Sequence, residues 1–481
     1  MEALQRLHNR GSISTGYDIE NSLKLEDANF EHITKNYSGD GDMRTWTYST
    51  WVKKCKFGSA NFDYMYMFAG QNTSIHFLNN GILRVALYNG SSTVYADIDR
   101  LFRDGSAWYH IIVALDTTQS TAADRVKIYI NGVRETVFDN STYTSMSQNE
   151  EFTIGQASAN YQVGYFYAGG GSNYGFSGYM AETHYVNGTA LDETSFGEFD
   201  DDSGIWKPKE YTGSHGSKGF YLKFDDSSNL GKDSASSGIG DFTVSNITSA
   251  DQATDTPTNN FCTINAGVGT DSTISEGATK FTNHGVNGWE TFVATMGAGT
   301  SGKWYAEFQV VDHGYGDNFI GISPIDDPDL NRGFGTSFAY LGSDTSLDES
   351  VGYYAAGGNR YIGGGTASYG NSYTTTDIMS VAVDMDNGKL YFAKNGTWQN
   401  SGDPTSGSTG TGALDVRGAT KPQTISGSVY YANHAMKANY GGFTTISISS
   451  SQSDANGYGT FEYAPPSGYY ALCTKNLAEY G

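Results

Sequence analysis

Two loops concentrate the side chains best suited to holding a ligand. Residues 159–179 read ANYQVGYFYAGGGSNYGFSGY and residues 352–373 read GYYAAGGNRYIGGGTASYGNSY, so tyrosines alternate with Gly, Ser and Asn. A tyrosine offers a flat apolar ring and a polar tip at small entropic cost, while Gly and Ser let the backbone adapt. Sugars present apolar C–H faces beside hydroxyls, which matches that surface. The ligand-binding candidates are Tyr165, Tyr167 and Tyr174 in the first loop and Tyr354, Arg360, Tyr361 and Tyr369 in the second. The competing reading is structural, with these tyrosines packed between subunits or laid over a sheet edge.

Carboxylates are the other source of chemistry. Glycoside hydrolysis needs two of them facing one cleft, as a strand of type E-x-D-x-x-E would supply. Glu198-Phe199-Asp200-Asp201-Asp202-Ser203 comes near, but Ser203 stands where the last Glu is required. It reads as a solvated acidic turn, and no catalytic residue is assigned. Calcium wants several oxygens converging on one point. Asp326, Asp327 and Asp329 form the better candidate metal site; Asp344, Asp348 and Glu349 are a lesser one, and the turn Met385-Asp386-Asn387-Gly388 explains Asp384 and Asp386. The 9 histidines show no H-x-x-x-H spacing, and Gly169-Gly170-Gly171 and Gly363-Gly364-Gly365 lack the Lys-Ser/Thr of a phosphate loop. Apart from Ca²⁺, no cofactor is expected.

Strands must position these loops. Among 481 residues there are 61 Gly and 35 Tyr, while charged residues make up 17%, a composition that favours strands and turns over helices. Two stretches repeat one pattern. WYHIIVALD (Trp108–Asp116) leads through a polar turn to RVKIYINGVRE, and IMSVAVD leads through a tight turn to KLYFAKNGTW. Each is an apolar run ending in Asp, followed by an alternating run that closes on Asn-Gly, a strong hairpin signal. The pattern predicts an all-β chain of two jelly-roll β-sandwiches in tandem. Residues 17–225 form the first sandwich, with strand signals that include EFTIGQ at 151–156. Residues 226–257, opening on polar DSSNLGKDSASSGIG, read as a linker, and 258–481 form the second sandwich.

Residues 1–16 stand apart. Leu4 and Leu7 with Arg6 and Arg10 could make one or two amphipathic turns ended by Gly11, either a frayed terminus or an arm that docks on another subunit. No apolar run approaches the ~20 residues of a membrane span. A net charge of −23 repels phosphate and excludes nucleic acid as a partner. The 3 cysteines, Cys55, Cys262 and Cys473, are widely spaced and read as small buried residues.

These stretches carry a family likeness. WYHIIVALD with VKIYINGVRE resembles the strand pair of laminin-G-like, concanavalin A-like jelly rolls. SGKWYAEFQV at 301–310, NFIGIS, and IMSVAVDMDNGKLYFAKNGTW resemble the signature strands of SPRY domains. The connecting phrases FSGYMAETHYVNGTALDETSFGEF, GFYLKFDDSSNLGKDSAS and DTPTNNFCTIN are similar to those of structural proteins from marine tailed bacteriophages, where a laminin-G-like unit precedes a SPRY-like one in virion appendages. The resemblance implies a non-enzymatic tail fibre or appendage protein, made in the host bacterial cytoplasm and located in the virion. It would contact other virion proteins of tail or capsid and a host surface glycan or receptor, as a homo-oligomer for which a trimer is expected. A capsid decoration or head-fibre protein is the alternative, and a polysaccharide-degrading enzyme a more distant one. Fibres of this kind often carry a long N-terminal attachment domain, so the short arm takes on the docking role.

Overall fold

The computed structural model describes residues 16–57, 64–157, 160–167, 173–267, 272–285, 287–312, 314–326, 340–343, 349–416 and 420–481. The chain divides into two units, one ending at Thr258 and the other running Asn259–Gly481.

The first unit is a sandwich of two eight-stranded sheets, joined by small two-stranded pairings. In one sheet the strand Thr45–Lys54 lies between Trp108–Asp116 and Gly178–Asn187. Its alternation sends Trp46, Tyr48 and Val52 into the core, where Tyr48 stacks on Phe68 of the opposite sheet with centroids 4.8 Å apart. The other sheet runs as a meander through Met65–Gly70, Thr73–Phe77, Ile82–Tyr88 and Thr93–Leu101.

The second unit pairs a nine-stranded sheet with a six-stranded one. Lys303–Val310 lies in the nine-stranded sheet between Ala435–Asn439 and Met379–Asp384, and Met379–Asp384 forms the expected hairpin with Lys389–Lys394. In the six-stranded sheet Asn318–Pro324 lies between Gln423–Val429 and Val351–Tyr354, extended by Asn359–Ile362 and Gly365–Ser368. Ile320, Ile322, Tyr353 and Ile425 face the core.

The repeated pattern has the physical basis its sequence announced. Asn131 and Gly132 have φ of +49° and +75°, and Asn395 and Gly396 have φ of +48° and +75°, the paired left-handed conformation of a tight antiparallel turn. The three cysteines are free and buried.

Two expectations are corrected. Residues 226–257 are not a linker: Leu230, Phe242 and Ile247 belong to the first core, Thr243–Ser245 pairs with His32–Asn36, and Gln252–Ala253 pairs with Ser22–Leu25. Sparse apolar residues at isolated positions suffice because each fills a place beside an existing sheet. Residues 151–156 form no strand; Phe152 and Ile154 enter the core from a turn closed by Gln156 N–H on the Thr153 carbonyl at 3.0 Å. A short α-helix, Thr474–Tyr480, follows the last strand, with Leu477 anchored in the second core.

Candidate functional site

In the second unit, the outer face of the six-stranded sheet carries a cluster of aromatic rings. Because Ile320 and Ile322 point into the core, Phe319, the residue before Ile320 on the same strand, points outward. Phe319 stands opposite Tyr354 on one neighbour and Ser428 on the other, and Gly352 stands opposite Tyr361, so Tyr354 and Tyr361 share that outer face. Phe319 is 1% exposed and acts as the hub. Around it lie Tyr340 at 4.8 Å, Tyr354 at 4.9 Å, Tyr361 at 5.0 Å and Trp289 at 5.1 Å between ring centroids. Trp289 leads on to Tyr430 at 5.2 Å, Tyr430 to Tyr431 at 5.1 Å, and Tyr431 to Tyr315 at 5.7 Å.

Local chemistry fixes each ring. The segment carrying Tyr340 lies flat on the sheet because glycine leaves room: a Cβ on Gly352 would come 2.2 Å from the Leu341 carbonyl. Leu341 N–H and Gly342 N–H then donate to Ser428 Oγ at 3.2 Å and Ser350 Oγ at 2.6 Å. The buried Asn283 amide donates to the Gly288 carbonyl at 2.9 Å and so holds the turn that presents Trp289. Tyr315 projects from a turn whose Gly314 and Gly316 have φ of +53° and +89°, and it is 84% exposed. The Tyr354 hydroxyl donates to Asp317, and burial together with that carboxylate raises its pKa. Tyr431 is raised as well, by desolvation first and then by Asp317. Both hydroxyls therefore stay protonated at neutral pH. The result is a broad, half-buried aromatic surface edged by hydroxyls and one carboxylate, suited to stacking on a ligand's apolar face.

Of the residues picked out in the sequence, Tyr354 and Tyr361 come together here. Arg360 does not join them, because it lies opposite the core residue Tyr353 and so leaves from the other face of the sheet. Tyr369 is also corrected: it is 7% exposed, packs in the core, and its hydroxyl donates to the Gly412 carbonyl at 3.1 Å. In the first unit Tyr174 packs against Tyr64 and Tyr66 at 5.5 and 5.6 Å, Tyr165 stacks on His32 at 4.4 Å, and Tyr167 is 57% exposed. These three are spread over different surroundings of one small hairpin. Asp326 is paired with Lys421 at 3.6 Å, and Lys421 is also held by Glu349 at 3.0 Å, while Asp327 and Asp329 lie outside the described residues. Leu4, Arg6, Leu7 and Arg10 lie outside them as well. Among the described residues no group of three or more His, Cys, Asp or Glu side chains could hold a metal ion.

Sequence reasoning missed Trp289, Tyr340, Tyr430, Tyr431 and Tyr315. The Tyr430-Tyr431 doublet and the Gly-Tyr-Gly at 314–316 were visible signals, but nothing local told that they would meet.

Other constellations have the parts of a catalytic site without the arrangement. Ser49 Oγ lies 2.8 Å from His110 Nε2, but the Trp206 indole N–H donates to His110 Nδ1 at 2.9 Å. That bond makes Nδ1 the acceptor, so Nε2 carries the proton and donates to Ser49. Burial holds His110 down to about 3, so the ring is neutral and cannot take a proton from the serine. Glu198 and Asp200 both pair with Lys207 at 3.3 Å, and Asp200 also accepts from Ser203 N–H, as an acidic turn requires. Glu307 is fully buried and accepts from Tyr305, Asn439 and the backbone of Glu462 and Tyr463. Burial pushes it up to about 7 against those four donors, and its role is to pin the 462–463 crossing onto a strand.

Residues 20–195 match a laminin-G model of the concanavalin A-like lectin/glucanases superfamily. The first unit holds a laminin-G-like, concanavalin A-like domain. No curated protein matches the chain. Among solved structures it is similar to a human SPRY domain at 16% identity, covering 35% of this chain and 94% of that one with a TM-score of 0.26. It is similar to the SPRY domain of human HERC1 at 18% identity, covering 35% of this chain and 92% of that one with a TM-score of 0.26. It is also similar to the heptameric SAP-like pentraxin of Limulus polyphemus at 18% identity, covering 37% of this chain and 80% of that one with a TM-score of 0.26.

Proposed function

We propose that the chain is a glycan-binding structural protein displayed on a tailed-bacteriophage virion, where it contributes to host attachment. The observation that carries the binding role is the aromatic surface around Phe319, with Trp289, Tyr340, Tyr354 and Tyr361 grouped on one outer sheet face and Asp317 at its rim. Exposed aromatic groups of this size mark recognition surfaces, and rings edged by hydroxyls fit the two-sided chemistry of a sugar. The laminin-G match of residues 20–195 supports a binding module. The virion setting rests on the similarity of the connecting phrases to those of phage structural proteins. Binding acts without catalysis in this reading, because the Ser49–His110 pair is locked by Trp206 and the acidic turn at 198–203 is spent on Lys207.

The test has two arms. Purified chain is expected to bind host cells or a glycan array, and Trp289→Ala with Tyr361→Ala to weaken binding about tenfold or more with an unchanged circular dichroism spectrum. Unchanged binding would remove the platform from the reading. Immunogold labelling of intact particles is expected to mark the virion, and purified particles without the chain would end the virion reading.

A further inference from the structure

The platform has a direction and an electrical sign. Six rings follow one another from Tyr361 through Tyr340, Trp289, Tyr430 and Tyr431 to Tyr315, with successive centroids between 4.8 and 5.9 Å apart. A ligand that is gripped at one end is enclosed in a concave pocket. A run of half-exposed rings along a sheet face instead offers successive stacking places, which suits consecutive units of a polymer.

The sign comes from Asp317. Its carboxylate accepts from Tyr354, which flanks Tyr361 at 5.7 Å, and its backbone carbonyl accepts from Tyr430 N–H at 3.2 Å, so it lies beside the run. Among the described residues, Arg360 on the adjoining strand leaves from the opposite face of the sheet, and Lys421, beyond the far end of Gln423–Val429, is held by Asp326 and Glu349. Like charges at such range repel, and a low-dielectric aromatic surface screens them less than water does.

Resting on the glycan reading above, we infer that this face takes the interior of an uncharged polysaccharide chain and rejects polymers bearing carboxylate or sulfate groups. The three observations act together: rings in series read length, hydroxyls meet sugar hydroxyls, and Asp317 excludes anions.

The test uses the full chain and matched polymer pairs in affinity electrophoresis: hydroxyethyl cellulose against carboxymethyl cellulose, dextran against dextran sulfate, and starch against carboxymethyl starch. At least one neutral polymer is expected to retard the protein, with its charged counterpart weaker by about fivefold or more. Because the whole chain is acidic at −23, the local contribution is isolated by Asp317→Asn, whose amide oxygen still accepts from Tyr354. That variant is expected to narrow the neutral-to-anionic ratio about fivefold. Asp415→Asn, which removes the same charge from the nine-stranded sheet, leaves the ratio unchanged. Oligosaccharides of the retained polymer are expected to bind more tightly as units are added, and a monosaccharide matching the polymer would overturn the serial reading. Equal retention by both members of a pair, lost in Trp289→Ala, overturns the inference and leaves glycan binding standing. Retention by no polymer overturns glycan binding itself.

Discussion

Tyr361 and Tyr369 come from the same tyrosine-glycine loop and have opposite fates. Tyr361 half-emerges beside Phe319, whereas Tyr369 lies at 5.5 Å from Tyr353 in the core. Tyr361→Ala is therefore expected to lower binding with little change in stability, and Tyr369→Ala to cost about 3 kcal/mol of stability, both read from urea unfolding beside a binding assay. Reversal of the two effects would refute the placement. Local composition identified both residues but could not separate them, because which side of a strand a tyrosine leaves from depends on the register set by Val351–Tyr354 against Asn359–Ile362. Histidines give a second prediction at this scale. Burial holds His76, His110 and His215 down to about 3, against 6.5 in an unfolded chain. Between those values the unfolded chain binds more protons, so the stability they confer is present above pH 6.5 and is lost as pH falls towards 3. The unfolding free energy read from urea titrations should decline progressively across that window, by about 2 kcal/mol or more in total. A flat profile from pH 7 to pH 4 would contradict the burial of these rings.

Hairpins were legible because their information is local: an apolar run, a turn and Asn-Gly lie within one short stretch. Elements joined over long distances were not. Thr243–Ser245 finds its partner in His32–Asn36, and nothing in the polar stretch around it names that strand. Glu182 is a similar case. It lies at a bulge in Gly178–Asn187 with φ of +49°, an unfavourable conformation for a non-glycine residue, and its carboxylate is held by the hydroxyls of Tyr17 and Tyr221 at 2.9 and 2.7 Å. Only the folded neighbours reveal why the strain is tolerated. The packed state of 226–257 gives a test. Phe242→Ala is expected to lower stability by about 3 kcal/mol, since its ring meets Phe220 at 4.9 Å in the core. Limited proteolysis should also leave this stretch uncut, and rapid cleavage there would restore the linker reading.

Each unit has a hydrophobic core of its own, which is the physical requirement for folding alone. A fragment of residues 259–481 is expected to unfold cooperatively and to keep the platform's binding, measured by affinity electrophoresis against the full chain. A fragment that folds without binding would mean that the first unit contributes to the ligand surface. Docking belongs to the same scale. Deleting residues 1–16 should abolish incorporation into particles while leaving both thermal transitions in place, and normal incorporation would refute the arm's proposed role. Whole-molecule charge was readable from composition alone, but the aromatic face was not, because it is assembled from five separated stretches of the second unit.

Tyr315 and Phe319 are four residues apart, yet the fold constrains them differently. Phe319 is locked under four rings, so almost any replacement would disturb the sheet. Tyr315 stands on a glycine turn almost wholly in solvent and can be exchanged without touching the core. If the platform meets a host, escape and pursuit would play out at positions such as 315 and 431 while the hub stays fixed. The protein thus separates the part that must persist from the part that can evolve, within a single turn of chain.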